Sequence, residues 1–240
     1  MEIEGKRVLV SGAGRGLGWA LVALLAEAGA REVVAGTRKP QAREALKALG
    51  PNVTPVQLDV TSDDDVAAVA QMGTMDILIN NAGFAGFGNP LTMSFDDVQK
   101  EIAVNYLGVL RLTRAIAPGM IAQGDGMIVN IATAFAKVNL PLVGTYCATK
   151  SALYSLGQAM RAYLSEYGVR VITVLPTTID TDMSSGADVP KMTKEFAAAE
   201  ILAAIHAEAH DPPIGDEAKR ILDEFAKDPV GLEKMLMKYK

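Results

Sequence analysis

The feature that most constrains the fold of this chain is its alternation of short β-branched runs with longer helical patterns. Strands are predicted at 7–11, 32–36, 53–58, 75–80, 127–133 and 170–175. Helices are predicted between them, at 16–29, 41–49, 63–70, 96–120 and 145–167. Each strand segment is nearly continuous in apolar residues, as expected when helices cover both faces of a parallel sheet. This order predicts an α/β protein with a Rossmann-like, doubly wound, mostly parallel sheet of six to seven strands. Right-handed crossovers then gather the strand C-termini along one edge, where ligands bind. The 96–120 helix is expected to bend where Pro118 lacks a donor.

The last part follows a different pattern. A helix is predicted at 193–208, a weak edge strand at 212–215, and two charged, partly solvated helices at 216–227 and 230–238. No linker or repeat interrupts the chain, so residues 1–240 read as one domain. Within it, 184–240 form a substrate loop and a helical C-terminal extension. The 240 residues, 50% of them hydrophobic, suffice for one large core. The net charge of −5 and the absence of a basic run argue against nucleic acid as a partner. No apolar stretch approaches the ~18 residues of a membrane span. The charged N-terminus runs into a strand, which predicts no signal peptide, and the single cysteine fits a reducing compartment. The expected location is cytoplasmic.

Between the first strand and first helix lies Ser11-Gly12-Ala13-Gly14-Arg15-Gly16-Leu17-Gly18. Glycines let backbone approach a pyrophosphate, and the helix that follows offers free N–H groups to it. The second strand ends in Ala35-Gly36-Thr37-Arg38-Lys39, with no carboxylate to meet ribose hydroxyls. Arg38 is available for a 2′-phosphate, and Arg15 adds a second cation. The expected cofactor is therefore NADP, with NAD possible.

Tyr146 and Lys150 are four residues apart on a predicted helix, about one turn, and so project from one face. A free phenol with a pKa near ~10 transfers protons poorly at neutral pH. A neighbouring ammonium is expected to lower that value and make Tyr146 a general acid/base.

Together these motifs resemble the short-chain dehydrogenases/reductases over roughly residues 5–185. Ser11–Gly18 is similar to the family's cofactor loop, with Ser11 where threonine is usual. Asp59-Val60 resembles the pair that contacts adenine. Asn80-Asn81-Ala82-Gly83 matches the motif at the fourth strand, and Asn105 the helix asparagine of the catalytic set. The resemblance implies that Ser11, Gly12, Arg15, Gly16, Leu17, Gly18, Arg38, Asp59, Val60, Asn81, Ala82, Gly83, Tyr146 and Lys150 bind the cofactor. Pro176, Ile179 and Thr181 would join them. Tyr146 would protonate the carbonyl oxygen, Lys150 would hold the nicotinamide ribose, and Asn105 would order a water linking Lys150 to solvent. The family's serine is replaced by Thr133, whose hydroxyl can still donate. Pro176-Thr177 stands where Pro-Gly is usual. A homodimer or homotetramer is implied, paired through the two long helices.

Substrate residues are expected after the strand C-termini. Phe84, Thr133, Phe135, Leu140 and Met183 are the candidates, with Phe87 and the remainder of 135–143 and 183–192 nearby. These stretches are mostly apolar and hold no arginine poised for an acid. The expected substrate is a small to medium apolar ketone, aldehyde or secondary alcohol. Lys137 and Lys191 read as solvated, while Met183 and Met192 are candidates for an adaptable lid. No metal site is expected: His206 and His210 lack a metalloprotease pattern. Cys147 reads as a buried small residue, and the Asp63–Asp65 run as a helix cap. The expected activity is an NADP-dependent carbonyl reductase or alcohol dehydrogenase. The alternatives are the same chemistry with NAD(H), and a non-catalytic dinucleotide-binding regulatory or scaffold protein.

Overall fold

The fold is described from a computed structural model, which covers residues 1–186 and 188–238. Ala187, inside the predicted substrate loop, lies outside the described residues. The first βα units are β1 (Arg7–Ser11), α1 (Gly16–Glu27), β2 (Glu32–Thr37), α2 (Pro40–Lys47), β3 (Val53–Gln57) and α3 (Asp63–Ala70). Next come β4 (Ile77–Asn80), α4 (Phe95–Ile102), α5 (Val109–Gln123), β5 (Gly126–Ile131), α6 (Gly144–Leu164) and β6 (Val169–Pro176). The chain ends with α7 (Lys194–Ala207), β7 (Pro213–Ile214), α8 (Asp216–Lys227) and α9 (Pro229–Leu236).

Among the described residues the strands form one seven-stranded sheet in the order β3-β2-β1-β4-β5-β6-β7. Every pairing is parallel. The order reverses between β1 and β4, so a crevice opens there beyond the strand C-termini. β4 and β5 are buried along their whole length, which matches their apolar sequence. One core layer packs α1 and α7 on the sheet through Leu21, Leu25, Ile201 and Ile205. The other packs Leu112, Ile116 and Met120 of α5 on Leu9, Leu78 and Ile128. Burying one such leucine or isoleucine stabilises the fold by about 1.5–3 kcal/mol.

The predicted 96–120 helix is divided in two ahead of Pro118. Pro118 lies inside α5, while a π-helical stretch, Ala103–Gly108, separates α4 from α5. Its wider winding carries Asn105. Capping also differs in detail: Ser62 accepts from the Asp65 N–H at the start of α3, and the aspartates complement the helix dipole. The proline-containing edge strand forms as a two-residue β7 against β6.

Candidate active site

The first loop is closed by contacts that only glycine allows. A Cβ on Gly18 would stand 2.3 Å from the Gly12 carbonyl oxygen, and one on Gly12 2.8 Å from the Ala82 Cα. Gly12 also has φ of +67°. No side chain caps α1, so its first N–H groups face the crevice. The tight cradle and uncapped helix fit a dinucleotide pyrophosphate. Ser11 sits behind this cradle, almost fully buried. Its hydroxyl accepts from the N–H groups of Asn81 and Ala82, each at 3.1 Å. Asn81 returns the contact, donating to the Ser11 and Gly12 carbonyls at 2.9 and 3.2 Å.

A cavity of about 610 Å³ runs from this cradle across the ends of β4, β5 and β6. The predicted catalytic, cofactor-binding and substrate-binding residues all line it except Ser11, Phe84 and Asn105. Ser11 instead staples the loop to the end of β4. Phe84 packs against the α5 core layer, with the Lys100 ammonium 4.1 Å above its ring, and is withdrawn as a substrate contact. The Asn105 side chain has protein partners. Its carbonyl accepts from the Phe84 N–H at 2.9 Å, and its amide donates to the Phe84 carbonyl at 2.8 Å and the Thr149 hydroxyl at 2.9 Å. Asn105 therefore clamps the segment after β4, and its carbonyl oxygen keeps one lone pair.

Cations meet the cavity at its cofactor end. Arg38 stands 3.5 Å from the Asp59 carboxylate, and Arg15 stands 2.9 Å from Asp182. Burial works against the Asp59 charge, but hydrogen bonds from Thr61 and the Arg38 guanidinium hold its carboxyl below the usual range. The β2 end presents no carboxylate of its own, as the sequence indicated.

At the other end Thr133, Tyr146 and Lys150 share the wall. Thr133 closes the turn after β5: its hydroxyl donates to the Pro176 carbonyl at 3.0 Å and accepts from the Phe135 N–H at 3.3 Å. Lys150 is buried, and its ammonium donates to the Ile131 carbonyl at 2.7 Å. It lies 5.7 Å from the centre of the Tyr146 ring. The expected lowering of the Tyr146 pKa does not emerge. Burial, then Cys147 and Glu101, push the phenol up, and burial pulls Lys150 down to about 8. Desolvation dominates both groups: Lys150 is buried, and Tyr146 is half-buried on the cavity wall.

The predicted lid divides. Met183 lines the cavity and is exposed, whereas Met192 packs on the core beside Gly215. Lys137 is half-buried, 3.6 Å above the Tyr154 ring, rather than solvated. Cys147 is buried, and its thiol is pushed up to about 11 by burial. Among the described residues no group of metal-ligating side chains forms a site.

Sequence reasoning missed one wall. α8 and α9 return over the cavity and place Glu217, Arg220, Ile221, Leu232, Met235 and Leu236 along it, with Lys238 just beyond. The signal was present: these helices carry apolar residues at helical spacing, and Ala218, Ile221, Leu232 and Leu236 are buried. Their partner, the turn after Thr133, was not visible in the sequence.

A doubly wound sheet with a glycine cradle and a tyrosine–lysine pair on one cavity defines a dinucleotide-binding oxidoreductase fold. The chain belongs to the short chain dehydrogenase family, whose model matches residues 6–190. It is 38% identical over 185 residues to the D-erythrulose reductase of Gallus gallus, covering 76% of this chain and 75% of that protein. It is 33% identical to the L-xylulose reductase of Bos taurus, covering 78% and 77%. A short chain dehydrogenase from Burkholderia cenocepacia, solved in complex with NADP, superposes with a TM-score of 0.93 at 38% identity, covering 99% of each chain.

Proposed function

We propose that this chain reduces a small to medium apolar ketone or aldehyde with NADPH, or oxidises the matching secondary alcohol. The observation that carries this reading is one cavity that joins the glycine cradle to Tyr146, Lys150 and Thr133. When bound, NADPH supplies the hydride that reaches the carbonyl carbon. Tyr146 gives its proton to the carbonyl oxygen, and solvent later restores it. Burial keeps the phenol in its proton-bearing form, at the cost of a weaker acid. Lys150, anchored on the Ile131 carbonyl, would hold the nicotinamide ribose. The Thr133 hydroxyl fixes the carbonyl by donating to it, once it leaves Pro176. Preference for NADPH is supported by Arg38 and Arg15 at the cofactor end and by the Burkholderia relative's NADP complex.

NADH use is a second reading, favoured by the Arg38–Asp59 pair, which offsets the cation's charge. Assembly into a homodimer or homotetramer is supported by Leu107, Tyr163 and Tyr167, exposed on and beside the long helices. A cytoplasmic location is supported by the single cysteine, Cys147, which fits a reducing compartment.

The test is nucleotide consumption against a panel of ketones, aldehydes and secondary alcohols, with NADPH and NADH in parallel. Turnover with NADPH that drops about 10²–10⁴-fold in Tyr146→Phe is expected. A nucleotide-saturated protein that turns over no member of the panel would refute the catalytic reading and leave the non-catalytic binding protein.

A further inference from the structure

We infer that α8 and α9 form an apolar end-wall to the substrate side of the cavity. That wall selects carbonyl compounds carrying one unbranched hydrocarbon arm of limited length. The inference rests on the carbonyl-reductase reading above and specifies its substrate class.

Three observations carry it. First, the cavity lining includes Ile221 of α8 with Leu232, Met235 and Leu236 of α9, beside the turn after Thr133. None of these side chains carries a hydrogen-bonding donor. A substrate arm rich in hydroxyls would leave them unpaired there, at a cost that an alkyl arm does not incur. Second, the polar residues that α8 brings to the cavity are already partnered along their own helix. Arg220 lies 3.8 Å from Glu217 and 3.5 Å from Glu224, and its side chain is 57% exposed. Those groups meet solvent at the rim. Third, the wall is held firmly. Ile221, Leu232 and Leu236 are at most 6% exposed and pack in one cluster with Ala134 and Val138, on the turn that follows Thr133. The wall and the hydroxyl-bearing turn are therefore one mechanical unit, so the distance from the reacting carbonyl to the wall is fixed. A fixed distance makes a ruler for arm length.

The family match ends at Pro190, ahead of both helices. The wall accordingly belongs to a part of the chain that the shared cofactor machinery does not dictate. Relatives that match over about three quarters of this chain, and whose names are those of sugar reductases, do not fix what it accepts.

The experiment uses straight-chain methyl ketones from butanone to decanone, together with a short ketose, on the full chain with saturating NADPH. In the wild type, kcat/KM rises by about fourfold per added methylene while the arm enters the apolar wall. It then falls once the arm meets α9, and the ketose stays below the best ketone. Leu236→Ala moves the optimum to an arm about two methylenes longer. Leu236→Phe moves it to a shorter one. Shifts in opposite directions cannot come from loss of folding, which lowers every substrate alike. An optimum that stays in place in both variants overturns the inference. So does a ketose preferred to every methyl ketone, which would leave the carbonyl-reductase reading intact. Failure of all ketones, the ketose included, with either nucleotide removes the underlying reading and this inference with it.

Discussion

The Thr133 hydroxyl donates to the Pro176 carbonyl oxygen at 3.0 Å, joining the end of β5 to the end of β6 beneath the cavity. A hydroxyl has one proton. Donation to a substrate carbonyl therefore requires this bond to be exchanged, and the β-branched side chain has few rotamers in which to do so. Thr133→Ser removes the methyl and keeps the hydroxyl, so its kcat is expected to equal or exceed that of wild type. Thr133→Ala is expected to lose most activity and about 1 kcal/mol of stability, because the buried Phe135 N–H loses its acceptor. Steady-state kinetics with thermal melts check both. A fully active alanine variant would remove Thr133 from the chemistry.

Lys150 makes stability depend on pH. Its amine is held near 8 in the fold against 10.5 when exposed. Between these values the unfolded chain binds the extra proton, so stability rises as pH rises through the window. The penalty of the buried ammonium is fully present below about pH 8 and is on the order of 3 kcal/mol. The melting temperature of wild type relative to Lys150→Met, without added nucleotide, is expected to climb between pH 8 and 10.5. Equal profiles for the two proteins would show that Lys150 is not desolvated as the structure places it.

Arg38 should separate the two nucleotides. A charge-assisted bond to a 2′-phosphate is worth about 1.5–3 kcal/mol. Arg38→Ala is expected to raise the KM for NADPH by about 10–100-fold and to leave that for NADH within about threefold. Its exposed pair with Asp59 contributes little to stability, so the melting temperature should hold. An unchanged KM for NADPH would transfer the specificity to other residues.

Asn105 should act through Phe84. Both ends of its amide bind the Phe84 backbone. Asn105→Ala is expected to destabilise the fold by about 1–3 kcal/mol and to speed hydrogen exchange at the Phe84 amide. Exchange at Ile79, inside β4, should slow or quicken only with global stability. Unaltered protection at Phe84 would contradict the clamp.

Much of the site was legible in the sequence because its signals are local. Gly12, Gly14, Gly16 and Gly18 cluster because one turn must pass close to Ala82, Thr37, Thr181 and the Gly12 carbonyl in succession. Tyr146 and Lys150 share a cavity because helical geometry places positions four apart on one face. Phe84 misled because a residue just after a strand end can face either the cleft or the core. Here the Asn105 clamp sets its backbone, and the ring packs on the core. The π-helical widening at Ala103–Gly108 had no sequence signal comparable to Pro118, since i→i+5 bonding depends on what packs around the turn.

By itself the sequence determined the element order, the parallel sheet, the glycine cradle and the tyrosine–lysine pair. Those features follow from backbone sterics and periodicity within a few residues. The tertiary structure alone decided three others. It set the direction in which the Tyr146 pKa moves, because desolvation on the cavity wall pushes the phenol up. It made Asn105 a clamp on the Phe84 backbone, a role with no local sequence signal. It also carried α8 and α9 back across the cavity, where their apolar residues pack on the turn after Thr133.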